Sequence, residues 1–168
     1  MFLTKEHSEH SHRLHEFAAE IRGKFLNSTA WIETLLNDIL AGYFCPNDKR
    51  RGLFFSEVVN DMRLSAKTAV LDKILQREFP DILTAYPRLR KRLDCLRKFR
   101  NRLAHAHIDT SELALTAKKV DEVTFIFYDD GQNKRQRITR AEASRRGKEA
   151  NQLRDDLLKI QARVTKRA

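Results

Sequence analysis

Residues 88–105 read RLRKRLDCLRKFRNRLAH, and the spacing of their apolar members decides the kind of fold. At about 100° per residue, Leu89, Leu93, Leu96 and Leu103 fall within one narrow arc, with Phe99 on its flank. Eight Lys or Arg lie between residues 88 and 102, interleaved with that stripe. A helix of this composition buries one edge against neighbours and turns a basic remainder to water. It is expected to run from about Asp81 or Tyr86 to Ala104.

Toward the N-terminus, Pro80 stops a preceding helix over Ser65–Glu78, with Ala66, Ala69, Val70, Ile74 and Leu75 facing inward. A shorter helical piece carries Phe54, Phe55, Val58 and Val59. The stretch from Cys45 to Gly52 reads as a polar loop. Before it, Leu14, Phe17, Ile21, Phe25, Ser28, Ile32, Leu35 and Ile39 recur at steps of three and four, which is the stripe of one long amphipathic helix from about residue 8 to Gly42. Trp31 and the Phe residues at helical spacing are expected in the core.

Toward the C-terminus, residues 106–119 read as a loop with a helical turn. The period then changes. Val123-Thr124-Phe125-Ile126-Phe127-Tyr128 is β-branched and aromatic, and Asp129-Asp130-Gly131 separates it from Arg135-Gln136-Arg137-Ile138, the pattern of a hairpin. Thr139-Arg140-Ala141-Glu142 has the spacing of a capping box. It opens a last helix with Ala143, Ala150, Leu153, Leu157, Ile160 and Val164 on one face. The expected architecture is all-α: an antiparallel bundle of about five helices with a small β-hairpin insertion near residues 123–138, one domain over residues 1–168.

Composition narrows the partners. Thirty-three Lys and Arg oppose 23 Asp and Glu, a formal charge of +10, which favours polyanions through phosphate contacts and counterion release. No apolar run approaches the roughly 20 residues that span a bilayer, so no membrane partner is expected. The N-terminus has no apolar export segment. Cys45 and Cys95 stand far apart and match no metal or redox spacing, which points to a reducing, cytoplasmic compartment. His7, His10, His12 and His15 read as the solvated start of the first helix rather than as metal ligands. No phosphate-binding Gly-rich loop, dinucleotide fingerprint or zinc-protease motif occurs. No metal and no cofactor are expected.

The end of the basic helix is the candidate site. With Arg100 set at 0°, Ala104 falls at about 40°, Asn101 at about 100° and His105 at about 140°, while the apolar stripe centres near 320°. Arg100 therefore borders the core, and Asn101 and His105 project together on the solvent side. An imidazole exchanges protons near neutral pH and can serve a 2′-hydroxyl or a leaving 5′-oxygen. A guanidinium binds phosphate bidentately and stabilises the added charge of the transition state. The carboxamide can hold either. Arg97, Lys98, Arg102 and His107 are candidate RNA contacts. Asp38 and Asp94 are candidate supports, and Glu33 could equally orient the site.

The string Lys98-Phe99-Arg100-Asn101-Arg102-Leu103-Ala104-His105 resembles the signature of the HEPN superfamily, helical domains of many prokaryotic RNase toxins and defence proteins. Those carry an Arg, usually followed by a polar residue, with a His four to six residues beyond the Arg. The order of helices is similar over most of residues 8–165, while the motif itself covers residues 100–105. The resemblance implies a homodimer in which two motifs face each other across a two-fold axis. It implies Arg100 and His105 as catalytic residues, with Asn101 assisting. The implied reaction is metal-independent RNA cleavage leaving a 2′,3′-cyclic phosphate, and the implied setting is a toxin or defence effector with an antitoxin or other regulatory partner. Some members carry Tyr two residues after the His, where a partner enzyme attaches AMP; His107 occupies that position here. The competing readings are a non-catalytic module binding RNA or protein, and a structural dimer.

Overall fold

The computed structural model describes residues 5–45, 48–111, 121–129 and 131–166. It is mostly helical, with one small antiparallel sheet, as the periodicity indicates. In chain order the elements are α1 (Lys5–Phe44), α2 (Asp48–Phe54) running into a π-helical turn (Phe55–Val59), α3 (Leu64–Glu78), α4 (Pro80–Ala85), α5 (Leu89–His105), β1 (His107–Ile108), β2 (Glu122–Asp129), β3 (Gln132–Thr139) and α6 (Arg140–Val164). The described residues up to Asn27, together with those within Phe99–Lys148, form one compact unit, which contains the sheet. Ser28–Lys98 and the residues from Glu149 onward form a second, wholly helical unit. Among the described residues no helix is long and apolar enough to cross a membrane.

In the helical unit the core is aliphatic, with Ile32, Leu36, Ile39, Leu71, Leu75, Ile82, Leu93, Leu157 and Ile160 buried. The inward face of α3 is Lys67, Leu71, Ile74 and Leu75. The expected face differs: Ala69 is exposed, and Ala66 and Val70 are half-buried. The cause is a partner distant in sequence. Lys67, 1% exposed, reaches Glu33 on α1 at 3.0 Å, so its stem occupies a core position. The Tyr43 hydroxyl also donates to Glu78, so α3 runs alongside α1 in the same direction. Arg92 of α5 meets Asp156 of α6 at 2.6 Å, and Arg163 of α6 pairs with Asp81 of α4, so α6 runs against the α4–α5 segment.

Three local expectations change. Helix α2 begins at Asp48, inside the stretch read as a loop. Its Gly52 costs about 1 kcal/mol against Ala in a helix, but packing of the Phe54 ring on Phe44 at 5.9 Å holds the turn. Trp31 is 60% exposed rather than core, because Ile32, one residue or about 100° further round, takes the buried position. Residues 107–108 form strand β1 instead of loop; the remainder of the ambiguous stretch, 112–120, lies outside the described residues.

In the sheet-bearing unit, α1 buries Leu14, Phe17, Ala18, Ile21 and Phe25. The sheet order is β1-β2-β3, antiparallel throughout. Asp129 pairs with Gln132, so the hairpin closes over two residues, and Gly131 takes φ +76°, which favours glycine. Val123, Phe125, Phe127 and Ile138 form its buried face. The capping residue also behaves as read: the Glu142 backbone N–H donates to Thr139 Oγ1 at 3.1 Å and starts α6.

Candidate functional site

Helix α5 delivers the motif. Leu89, Leu93, Leu96, Phe99 and Leu103 are all buried, so the arc chosen from spacing is the arc that packs. Phe99 meets Phe25 edge-on, with ring centroids 4.7 Å apart, and this fixes the rotation of the last two turns of α5. The opposite side then faces water: Ala104 and His105 are exposed, and Arg100 and Asn101 are half-buried. The Arg100 Nη1 donates to Asn101 Oδ1 at 3.2 Å. That contact orients the carboxamide while leaving most of the guanidinium donors for another acceptor.

The helix does not fray after His105. The Ala106 N–H still donates to the Arg102 carbonyl at 2.9 Å, and the next residue enters β1, where His107 pairs with Ile126. The Ala106 carbonyl accepts from the Arg22 Nη2 of α1. The same guanidinium lies over the Phe125 ring, 5.1 Å from its centroid. One cation thus satisfies a carbonyl at the helix terminus and ties it to the sheet. Nothing in local spacing pairs Arg22 with a carbonyl 84 residues away, so sequence reasoning missed it; the available signal was an Arg directly beside the buried Ile21.

The candidate RNA contacts divide. Arg102 is half-buried, its guanidinium 5.2 Å from the Phe127 centroid, with its N–H edge not consumed by the ring. His107 is exposed on β1. Arg97 and Lys98 belong to the helical unit, where they grip Asp94 at 2.7 and 2.8 Å. The bonds from Lys98 and then Arg97 hold the Asp94 carboxyl below the usual carboxylate range. Asp38 is half-buried on α1, also in the helical unit, and Glu33 is engaged by Lys67 there.

Beside the motif, Asp109 is buried and accepts from the Ser111 backbone N–H at 3.0 Å. This bond holds its carboxyl below the ordinary value against the opposing effect of burial, and Arg135 at 3.7 Å adds to it. Among the described residues no three His, Cys, Asp or Glu side chains gather as a metal site, the N-terminal histidines included.

No family model, no curated protein and no solved structure matches the chain.

Proposed function

We propose that the chain is a metal-independent endoribonuclease of HEPN type, a cytoplasmic toxin or defence effector. It cleaves RNA through Arg100 and His105, with Asn101 assisting, in a cleft composed by two copies of the chain. The observation that carries the reading is the placement of Arg100, Asn101 and His105 on one solvent-facing strip at the end of α5, with His105 exposed. A buried imidazole would have no access to a ribose. In the proposed reaction His105 takes the proton from the 2′-hydroxyl or returns one to the leaving 5′-oxygen, and Arg100 binds the phosphoryl oxygens as charge builds on them. The 2′-oxygen attacks phosphorus, the P–O5′ bond breaks, and a 2′,3′-cyclic phosphate and a 5′-hydroxyl remain. An antitoxin or other regulatory protein is the natural partner of such an activity.

The test is cleavage of a long transcript in EDTA by the wild type and by His105→Ala. Removal of a general acid–base group lowers the rate about 100- to 10,000-fold. Equal cleavage by both proteins removes His105 from the mechanism. A folded wild type that cleaves no RNA transfers the site to the non-catalytic binding module.

A further inference from the structure

The chain passes from α5 to β1 through one residue, Ala106, and both of its backbone groups are held. Its N–H donates to the Arg102 carbonyl at 2.9 Å, and its carbonyl accepts from the Arg22 Nη2 of α1. Ala106 is buried, so that carbonyl has little access to water. The Arg22 guanidinium lies over the Phe125 ring, 5.1 Å from its centroid, and Arg102 lies over the Phe127 ring at 5.2 Å. Phe125 and Phe127 are alternate residues of β2 and share its buried face. Two rings of one strand thus seat two cations, one from α1 and one from the last turn of α5.

The other donors of Arg22 separate this contact from plain packing. Its Nε is buried and has no hydrogen-bond partner among the described residues. A buried unpaired N–H opposes folding, and a methionine or leucine would cover Phe125 without one. What the guanidinium adds over an apolar side chain is its charge and the bond to Ala106. That bond lies one peptide beyond His105. The His105 side chain is exposed, and no described residue hydrogen-bonds its imidazole. The direction of its Cα–Cβ bond is therefore set by the backbone on both sides: the helix before it, and Ala106 with the His107–Ile126 pairing after it. A general acid–base group works only within hydrogen-bond reach of the proton it moves, and a misplacement of about 1 Å can cost about 100-fold in rate.

We propose that Arg22 is a positioning residue for His105. Through the Ala106 carbonyl, and braced by Phe125, it fixes the backbone from which the imidazole projects, and it does not touch the substrate. The proposal rests on the reading of His105 as the acid–base group of RNA cleavage and adds to that site a side chain from α1. It also gives the sheet a part in the reaction: β2 supplies both the ring under Arg22 and the strand that pairs with β1.

The experiment is single-turnover cleavage of a transcript in EDTA by the full chain, with protein concentration varied. It compares the wild type, Arg22→Met, His105→Ala and the double variant, at a temperature where circular dichroism shows each folded. Arg22→Met lowers the maximal rate about 10- to 100-fold and leaves the half-saturating concentration within about twofold. In the His105→Ala background the same change has no further effect, because the imidazole through which Arg22 acts is gone. Arg22→Lys, which keeps a donor for the carbonyl, regains part of the rate. If Arg22→Met does not fold, Arg22→Gln, whose amide falls short of the carbonyl, carries the same expectations. A maximal rate equal to the wild type overturns the positioning role. So does a loss that appears as weaker half-saturation, which marks a substrate contact, or an equal fold-loss in the His105→Ala background, which marks general destabilisation. The two readings fail differently. Cleavage that needs His105 but ignores Arg22→Met removes the positioning role alone, whereas His105→Ala cleaving as the wild type does removes the nuclease reading and the positioning role with it.

Discussion

In the helical unit, Lys67 ends on Glu33 at 3.0 Å and Arg92 on Asp156 at 2.6 Å. In the sheet-bearing unit, Arg22 and Arg102 lie instead on the faces of Phe125 and Phe127, and Arg140 and Arg146 lie on Phe17 and Phe99 with help from Glu20 and Glu142. The difference is clearest between Lys67 and Arg92, which end on carboxylates, and Arg22 and Arg102, which rest on rings. A carboxylate cancels the charge and consumes N–H donors. An aromatic face attracts the cation through its quadrupole and leaves the charge and the N–H edge in place. Arg22 and Arg102 thus keep their charge, while Lys67 and Arg92 of the helical unit lock helix to helix.

That contrast can be broken from either side. The largest effect is expected at the carboxylate-held cation. Glu33→Ala leaves the Lys67 ammonium buried without its counter-charge, which lowers unfolding free energy by about 3–5 kcal/mol. Lys67→Met added to that variant recovers most of the loss in urea unfolding. A double variant no more stable than Glu33→Ala alone would show that the Lys67 charge is not the source of the cost.

A smaller effect is expected at the ring-held cation. Arg22→Met keeps apolar contact with Phe125 but removes the donor to the Ala106 carbonyl, at about 1.5–3 kcal/mol. Amide exchange at Ala106 and His107 should accelerate more than exchange elsewhere in α5. Uniform acceleration along the helix sinks the idea of a local clamp.

The smallest effect is a pH dependence. Asp109 is held below its unfolded value chiefly by the Ser111 N–H, so its contribution is full above about pH 4 and is lost as pH falls through the lower folded value. Asp109→Asn should flatten the decline in urea midpoint between about pH 6 and pH 3. The change is modest, because Glu20, Asp81, Asp94 and Glu142 are also held low by basic partners and decline with it. An unchanged slope in the variant would remove Asp109 from the acid limb.

What was legible in the chain was local. The stripe of α5, the cap at Thr139 and the two-residue turn at Gly131 each depend on residues within a few positions, and each appears as read. The solvent-side placement of His105 was legible for the same reason, since it follows from 100° steps once the Leu arc is fixed, while Asn101, read as projecting with it, is half-buried. What escaped depends on partners distant in sequence. Lys67 takes a core position only because Glu33 lies across from it. Strand β1 is two residues long and exists through pairing with β2. Arg22 becomes part of the site only through a carbonyl on another helix.

The junction after His105 has a consequence for the order of the motif. A free helix terminus samples many backbone conformations, and fixing one residue costs about 1–2 kcal/mol of chain entropy. Here the helix passes directly into a paired strand, with a guanidinium on the carbonyl between them. The His105 backbone is therefore ordered when the chain folds, and the freedom left to the imidazole is its own side-chain rotation.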